Sequence, residues 1–179
     1  MKKGENKSEP GFTIIEVALV LAIAGLIFMM VFVALPSLRR QQRDTQRRED
    51  VATFIQAIKK YQTNNRGALP TDTGEFSYAK SKESDTSSWW GFYANFLGDN
   101  FIDPTGGPYK LKVQACGDMQ AGNACDSLIS GDIAFPNDYE MMVYTQATCS
   151  GEQAVKSSNP RKVAVLYRLE GAGVYCGNT

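Results

Sequence analysis

An uninterrupted apolar run near the N-terminus is the feature that most constrains this chain. Residues 17–35, VALVLAIAGLIFMMVFVAL, contain no charged side chain. As a helix they span about 28 Å, close to the roughly 30 Å of a bilayer's hydrocarbon core. One acid, Glu16, stands directly before the run, where a carboxylate is costly unless it lies at the interface, is protonated or meets a cation. The sequence therefore predicts a membrane-spanning helix with a functional carboxylate at its edge.

The residues on either side of the run separate different kinds of membrane segment. The run is longer than the roughly 7–15-residue core of a cleaved secretory signal, and residues 36–40, PSLRR, form a poor peptidase site. A plain single-pass anchor remains an alternative. It does not explain an acid at the fifth position after a glycine, Gly11.

Residues 11–16, GFTIIE, followed by the long apolar helix, resemble the class III signal peptide of type IV pilins, with its prepilin-type N-terminal methylation motif. The resemblance implies that a prepilin peptidase cleaves between Gly11 and Phe12 on the cytoplasmic side of the membrane and N-methylates Phe12. It also implies that Glu16 is the assembly carboxylate, paired in a filament with the N-terminal amine of a neighbouring subunit. Such a pair sets register more surely than it adds net stability. Residues 1–11 are then a cleaved leader, and residues 12–35 form the transmembrane and assembly helix.

The predicted helix continues beyond the membrane as a spine from about Thr13 to Asn64. Its second half, residues 36–66, is amphipathic. The apolar face at helical spacing consists of Val51, Phe54, Ile55, Ile58 and Tyr61. Gly25 and Pro36 interrupt the helix-forming sequence, and they are expected to mark a kink or a segment that unwinds locally on assembly. A simple proline kink at the membrane surface is the alternative.

Charge is unevenly distributed, although the 19 basic and 19 acidic residues balance over the whole chain. Residues 36–60 carry an excess of arginine and lysine, and residues 61–179 carry an excess of acid. Because acids are interleaved and no aromatic residue stands among the arginines, the pattern favours a solvated helix face, or intersubunit salt bridges to the acidic region, over binding of nucleic acid or lipid headgroups. The positive-inside rule would place these arginines in the cytoplasm. The cleavage site implied by the resemblance requires the leader there instead.

Residues 67–107 read as a loop region with one short helix, predicted at about residues 87–97 from aromatic side chains at helical spacing. These aromatic residues indicate a small core or, alternatively, an intersubunit or adhesive patch. Residues 103–109, DPTGGPY, resemble the D-P-x-G-x-P-Y turn of major pseudopilins of type II secretion, except that Thr105 replaces the tryptophan of that family. A calcium site that uses Asp99 and Asp103 is a weaker hypothesis, because no series of acids at fixed spacing supports it.

Residues 108–179 contain short β-prone segments separated by turns. Strands are predicted at residues 108–115, 139–147, 162–170 and 173–176. The sequence therefore predicts an α+β protein with a three- to four-stranded antiparallel sheet packed on the helical spine. This is the arrangement that the resemblance implies, the type IV pilin fold.

Four cysteines lie in this last region, and an even number in an exported domain indicates two disulfides. Three pairings are possible. We favour Cys116 with Cys125, which closes a glycine-containing loop, and Cys149 with Cys176, which resembles the C-terminal disulfide loop of many pilins. A zinc site is less favoured, because the chain has no C-x-x-C pair and no histidine. No metal or other cofactor is predicted.

Nothing in the sequence specifies catalysis. The chain has no histidine, which excludes Ser–His and Cys–His mechanisms, and it contains no P-loop or dinucleotide fingerprint. We therefore expect a protein that is not an enzyme.

The resemblance implies a type IV pilus (fimbrium) subunit. As a precursor it is a single-pass protein of the bacterial cytoplasmic membrane, and its partners are the prepilin peptidase/methylase and a pilus assembly platform. It then forms a helical homopolymer, an extracellular filament for cell adhesion and twitching motility and for DNA uptake, with nucleic-acid binding undecided. The alternatives are a type II secretion or competence pseudopilin, and a membrane-anchored binding protein that never polymerises.

Overall fold

The computed structural model describes residues 11–77, 79, 84–117, 121–125, 140–171 and 173–179. The chain divides into two compact units, residues 1–39 and residues 40–179. The predicted leader lies outside the described residues except for Gly11. Residues 78 and 80–83 of the predicted loop region, and Tyr139 at the start of the strand predicted at residues 139–147, also lie outside them.

Helix α1 (Ile14–Asn64) forms the described part of the first unit from Ile14 onward and continues into the second unit. Its bounds confirm the helix predicted from about Thr13 to Asn64. The helix is assigned without a break through Gly25 and Pro36. Proline removes one N–H donor, and next to it the Ser37 hydroxyl donates to the Ala34 carbonyl at 2.9 Å. The chain alone therefore shows no unwound segment, and unwinding on assembly stays a prediction.

The second unit contains the last part of helix α1 and a five-stranded sheet. The strands are β1 (Gly74–Phe76), β2 (Lys110–Ala115), β3 (Glu140–Thr145), β4 (Ala147–Ser150), β5 (Gln153–Lys156), β6 (Val163–Arg168) and β7 (Val174–Asn178). The main sheet has the order β1-β2-β3-β6-β7, and β4 and β5 form a separate two-stranded hairpin.

The predicted sheet of three or four antiparallel strands is wrong in strand number and in one pairing. The α+β class holds, but the sheet is mixed, because β2 and β3 run parallel with Lys110 opposite Glu140. Parallel neighbours need a long crossover, and here the chain between Ala115 and Glu140 supplies it. Strand β1 has only three residues, too few to show an alternating pattern in the sequence.

Both faces of the sheet are covered, which explains the near-continuous burial of its central strands β3 and β6. Alternate residues point to opposite sides: Val143 and Val165 pack with helix α1, whereas Met142 and Leu166 pack with Ala154 of the hairpin. All five residues predicted to form the apolar face of α1 are buried, as expected. The second unit, called the head from here on, is thus a helix, a sheet and a hairpin stacked in three layers.

Two disulfides hold the hairpin side of the head. Cys116 pairs with Cys125, nine residues later, and Cys149 of β4 pairs with Cys176 of β7. This is the pairing favoured from the sequence. The second bond ties the hairpin to the edge strand of the main sheet.

The aromatic group predicted at residues 87–97 forms a short helix α2 (Trp89–Phe92) followed by a π-helical turn, Tyr93–Leu97. Ser88 caps it, with its hydroxyl oxygen accepting from the backbone N–H of Gly91. Trp89, Phe92 and Tyr93 have no exposed surface, because they pack on Phe54 and its neighbours. This supports the interpretation of the group as a core element rather than an adhesive patch.

Candidate functional site

The predicted cleavage site lies in non-helical chain just before helix α1. Residues 11–13 precede the first helical residue, Ile14, and belong to no helix or strand. The side chain of Phe12 is 87% exposed, and among the described residues no atom lies within 4 Å of where a Cβ of Gly11 would stand. The Gly11–Phe12 bond thus lies outside the helix, next to an exposed side chain.

Glu16 caps the N-terminus of helix α1 together with Thr13. One carboxylate oxygen of Glu16, Oε2, accepts from the Thr13 backbone N–H at 3.1 Å and from the Thr13 hydroxyl at 3.0 Å. In return the Glu16 N–H donates to the Thr13 hydroxyl oxygen at 3.4 Å. This reciprocal arrangement is a capping box, which satisfies two of the donors left free at a helix start.

The capping box is a function of Glu16 that the sequence reasoning missed. Its signal, Thr-x-x-Glu directly ahead of an apolar run, is visible at residues 13–16. The carboxylate thus has a local partner in the single chain. Any intermolecular ion pair made by Glu16 either shares its oxygens with Thr13 or replaces that contact.

The first unit presents an unbroken apolar surface. Every Val, Leu, Ile, Met and Phe side chain at residues 12–35 is exposed, from 38% at Leu35 to 90% at Ile14. Within the described residues, α1 is the one helix long and apolar enough to cross a membrane. Exposed apolar surface of this extent marks a contact with lipid or protein.

In the second unit, a buried ion pair fixes α1 to the turn that precedes β2. Arg47 and Asp103 are 4% and 2% exposed. The guanidinium of Arg47 donates twice to the carboxylate of Asp103, from Nε to Oδ2 at 2.7 Å and from Nη2 to Oδ1 at 3.1 Å. Tyr167 donates to the same carboxylate at 2.8 Å, so that helix, turn and strand β6 meet at one group.

These donors decide the charge of Asp103. Burial alone works to raise its pKa, but the hydrogen bonds from Arg47, Thr105 and Tyr167 outweigh burial and lower the pKa to about 2. For Arg47, burial opposes the charged form, and the bond to Asp103 still raises the pKa above its usual value. The pair is therefore ionised at any physiological pH.

About one turn before Arg47 on helix α1, Arg43 and Asp44 bind the turn after β6. Arg43 Nε donates to Glu170 Oε1 at 2.8 Å, and the backbone N–H groups of Glu170 and Gly171 donate to the two oxygens of Asp44 at 2.8 and 2.9 Å. The bond from Arg43 lowers the pKa of Glu170, with Arg47 adding to the effect. These contacts correct the prediction of intersubunit salt bridges for this part of the arginine cluster, since the acidic partners belong to the same chain.

Thr105, the departure from the pseudopilin-like turn, has a defined role. Its backbone N–H and its hydroxyl both donate to Asp103 Oδ1, at 2.9 and 2.5 Å. Both oxygens of Asp103 are therefore used, and the other acid of the calcium hypothesis, Asp99, is exposed. Among the residues that the structure describes, no cluster of three or more acids or cysteines could hold a metal.

Comparisons with family models, curated proteins and solved structures give no match for this chain.

Proposed function

We propose that this chain is a type IV pilin-like protein, a membrane-anchored subunit that polymerises through its N-terminal helix. The observation that carries the proposal is the combination of the GFTIIE motif with a capped apolar helix that nothing in its own unit covers. An ordinary anchor needs the apolar helix alone. The Gly11–Phe12 bond outside the helix and the carboxylate at Glu16 add the two features that processing and assembly require.

The apolar helix serves two environments in turn. In the membrane, lipid covers residues 14–35. In a filament, the same surface is covered by equivalent helices of other copies, and a head-to-tail contact that does not close on itself produces a helical polymer. A carboxylate buried among apolar helices is costly without a cation beside it. Any axial offset between neighbouring subunits that leaves Glu16 unpaired is therefore unfavourable. Glu16 would thereby select one register between subunits.

The second unit is suited to remain folded during this transfer. Its part of helix α1 is fixed to the sheet by the buried Arg47–Asp103 pair and by the contacts of Arg43 and Asp44. Two disulfides close the opposite side, as in proteins that work outside the reducing cytoplasm.

Mass spectrometry of the protein's N-terminus tests the proposal. The sample is surface material sheared from cells, compared with the membrane fraction. We expect a chain that begins with N-methylated Phe12 in the sheared material.

Each other outcome has a defined meaning. A chain that still begins at Met1 and occurs only in membranes would overturn the proposal and leave a plain anchor. Processed chain confined to membranes would instead favour a pseudopilin, in line with the turn at residues 103–109.

A further inference from the structure

Three cationic side chains surround an open cavity where helix α1 ends. The cavity has a volume of about 490 Å³. Its lining consists of Lys59, Gln62, Thr63, Arg66, Gly67 and Arg161. No acid lines it, although the region after residue 60 is acidic overall. Among the described residues, Lys59, Arg66 and Arg161 form no ion pair.

Arg161 is held at the cavity by its own turn and by the helix. The Gln62 side-chain amide donates to the Arg161 carbonyl at 2.7 Å, and the Arg161 N–H donates to Asn159 Oδ1 at 2.9 Å. A Cβ at Gly67 would lie only 2.9 Å from Arg161 Nη1. Glycine at residue 67 thus lets the guanidinium lie directly against the backbone.

Arg66 occupies a position where its backbone is unfavourable. It follows the last turn of α1 with φ +56°, in the left-handed region where glycine or asparagine is usual. The Gly67 N–H closes the helix end by donating to the Gln62 carbonyl at 2.7 Å. An arginine at residue 66 is therefore less stable than a glycine would be. Its side chain adds a third cation to the lining of the cavity.

The neutral side chains of the lining already make hydrogen bonds within the chain. Gln62 donates to Arg161, and the Thr63 hydroxyl donates to the Lys59 carbonyl at 2.9 Å. Recognition in the cavity thus falls to the three cations. Cations near a helix C-terminus also interact favourably with the helix dipole, but this accounts for Lys59 and Arg66 and not for Arg161, which comes from the turn before β6.

We infer that this cavity is a binding site for a phosphate oxyanion. Two arginines and a lysine without acidic partners match phosphate, because guanidinium groups bind its oxygens in pairs and the ammonium adds a point charge. The site belongs to the second unit alone and does not depend on whether the chain polymerises.

Binding to the full chain in nonionic detergent tests the site. The two probes are inorganic pyrophosphate, followed by calorimetry, and a fluorescein-labelled single-stranded oligonucleotide, followed by anisotropy at low salt. We expect Arg161→Gln and Lys59→Gln each to weaken binding about tenfold, as for loss of one charged hydrogen bond. The matched controls are Arg168→Gln, at an exposed arginine of β6, and Lys60→Gln, beside the cavity residue but outside the lining.

Arg66→Gly separates binding from folding. It removes a cation and gives the left-handed position its preferred residue, so we expect weaker binding together with equal or higher thermal stability. Loss of stability together with binding would assign Arg66 a structural role and overturn its place in the site.

Competition between pyrophosphate and the oligonucleotide distinguishes a free phosphate from a phosphodiester backbone as the ligand. Displacement of the oligonucleotide by pyrophosphate indicates a site for a free or terminal phosphate, and binding of the oligonucleotide alone indicates a phosphodiester backbone. No binding of either probe, equal losses in the test and control variants, or tighter binding of a polyglutamate peptide than of pyrophosphate would each overturn the inference.

Discussion

Single residues in the head derive their roles from partners far away in the sequence. Asp103 invited a calcium hypothesis, because a carboxylate beside a turn is a common oxygen ligand. Its actual partners are Arg47 and Tyr167, separated from it by 56 and 64 residues. No local pattern predicts such a pair, so the sequence showed the carboxylate but not what neutralises it.

Asp103→Asn should destabilise the head by about 1–3 kcal/mol, because it removes the charged hydrogen bonds of the buried Arg47 guanidinium to Asp103 and leaves Glu170, at 2.9 Å, and Asp44, at 3.4 Å, as its countercharges. Chemical unfolding in detergent, followed by tryptophan fluorescence, measures the change. Asp99→Asn at an exposed position is the control and should stay within about 0.5 kcal/mol of the parent. If the two variants are equally stable, the buried pair contributes nothing.

The head should lose stability as the pH falls from about 4 to about 2. The folded-state pKa of Asp103 lies at about 2, below the ordinary value near 3.9, so its contribution is complete above pH 4 and disappears as the folded carboxylate is protonated. Glu170 acts in the same direction, whereas burial of Asp50 raises its pKa and opposes the effect. Thermal unfolding across this range tests the prediction. The slope should be shallower in Asp103→Asn, and an unchanged slope would contradict the assignment.

Gly91→Ala should destabilise the head by about 1–3 kcal/mol. A Cβ there would stand 1.3 Å from the Asp85 carbonyl oxygen, so the chain at residue 85 has to move. Gly117→Ala, where the part of the chain that the structure describes places no atom within 4 Å of the new methyl, is the control. If the two variants have the same melting temperature, the chain at Asp85 moves away from the new methyl at residue 91 without loss of stability.

Helices were easier to predict than strands. The spine and the helix at Trp89 follow from side-chain spacing along one segment, a property that the sequence displays directly. Strand order depends on which segments meet across a crossover, and the parallel pairing of β2 with β3 has no signature within either strand. The β4–β5 hairpin turns at Gly151, which has φ +63°. Its short strands are partly polar, and they were missed for that reason.

Removal of the Cys149–Cys176 bond should cost more than removal of Cys116–Cys125. The two bonds close loops with sequence separations of 27 and 9 residues, and loop-closure entropy then favours the longer by about 1 kcal/mol. Serine pairs at each site, compared by denaturant unfolding, measure the difference. A larger loss at Cys116–Cys125 would indicate that its attachment to β5, where the Cys125 N–H donates to the Ala154 carbonyl, outweighs the entropy.

At the scale of the whole molecule, one helix contributes to two units with opposite solvent requirements. The apolar half of the helix and the position of Glu16 before it could be predicted, because the apolar composition and the GFTIIE motif lie next to each other in the sequence. The hydrogen bonds from Thr13 show that the Glu16 carboxylate also caps the helix within its own chain. Mutation can separate this contact with Thr13 from the proposed role of Glu16 in assembly.

Glu16→Gln should abolish surface filaments while leaving processing at Phe12 intact. Glutamine retains an oxygen for the Thr13 cap but carries no charge for an ion pair. Thr13→Val, the matched variant, weakens the cap and keeps the charge, so it should still assemble. Electron microscopy and mass spectrometry of sheared material distinguish the two variants. Filaments from Glu16→Gln would exclude the ion pair as the assembly contact.

The topology also sets an order of events during synthesis. The face of α1 around Val51 and Ile58 is buried by β3 and β6, strands that the ribosome makes much later. Until they emerge, this face has nothing to pack against, whereas the apolar run ahead of it can enter a bilayer at once. Because domains gain their long-range contacts last, insertion should precede folding of the head. In the proposed membrane-anchored precursor, a chain stalled before Val163 would therefore be anchored while its C-terminal part is still unfolded and open to proteases.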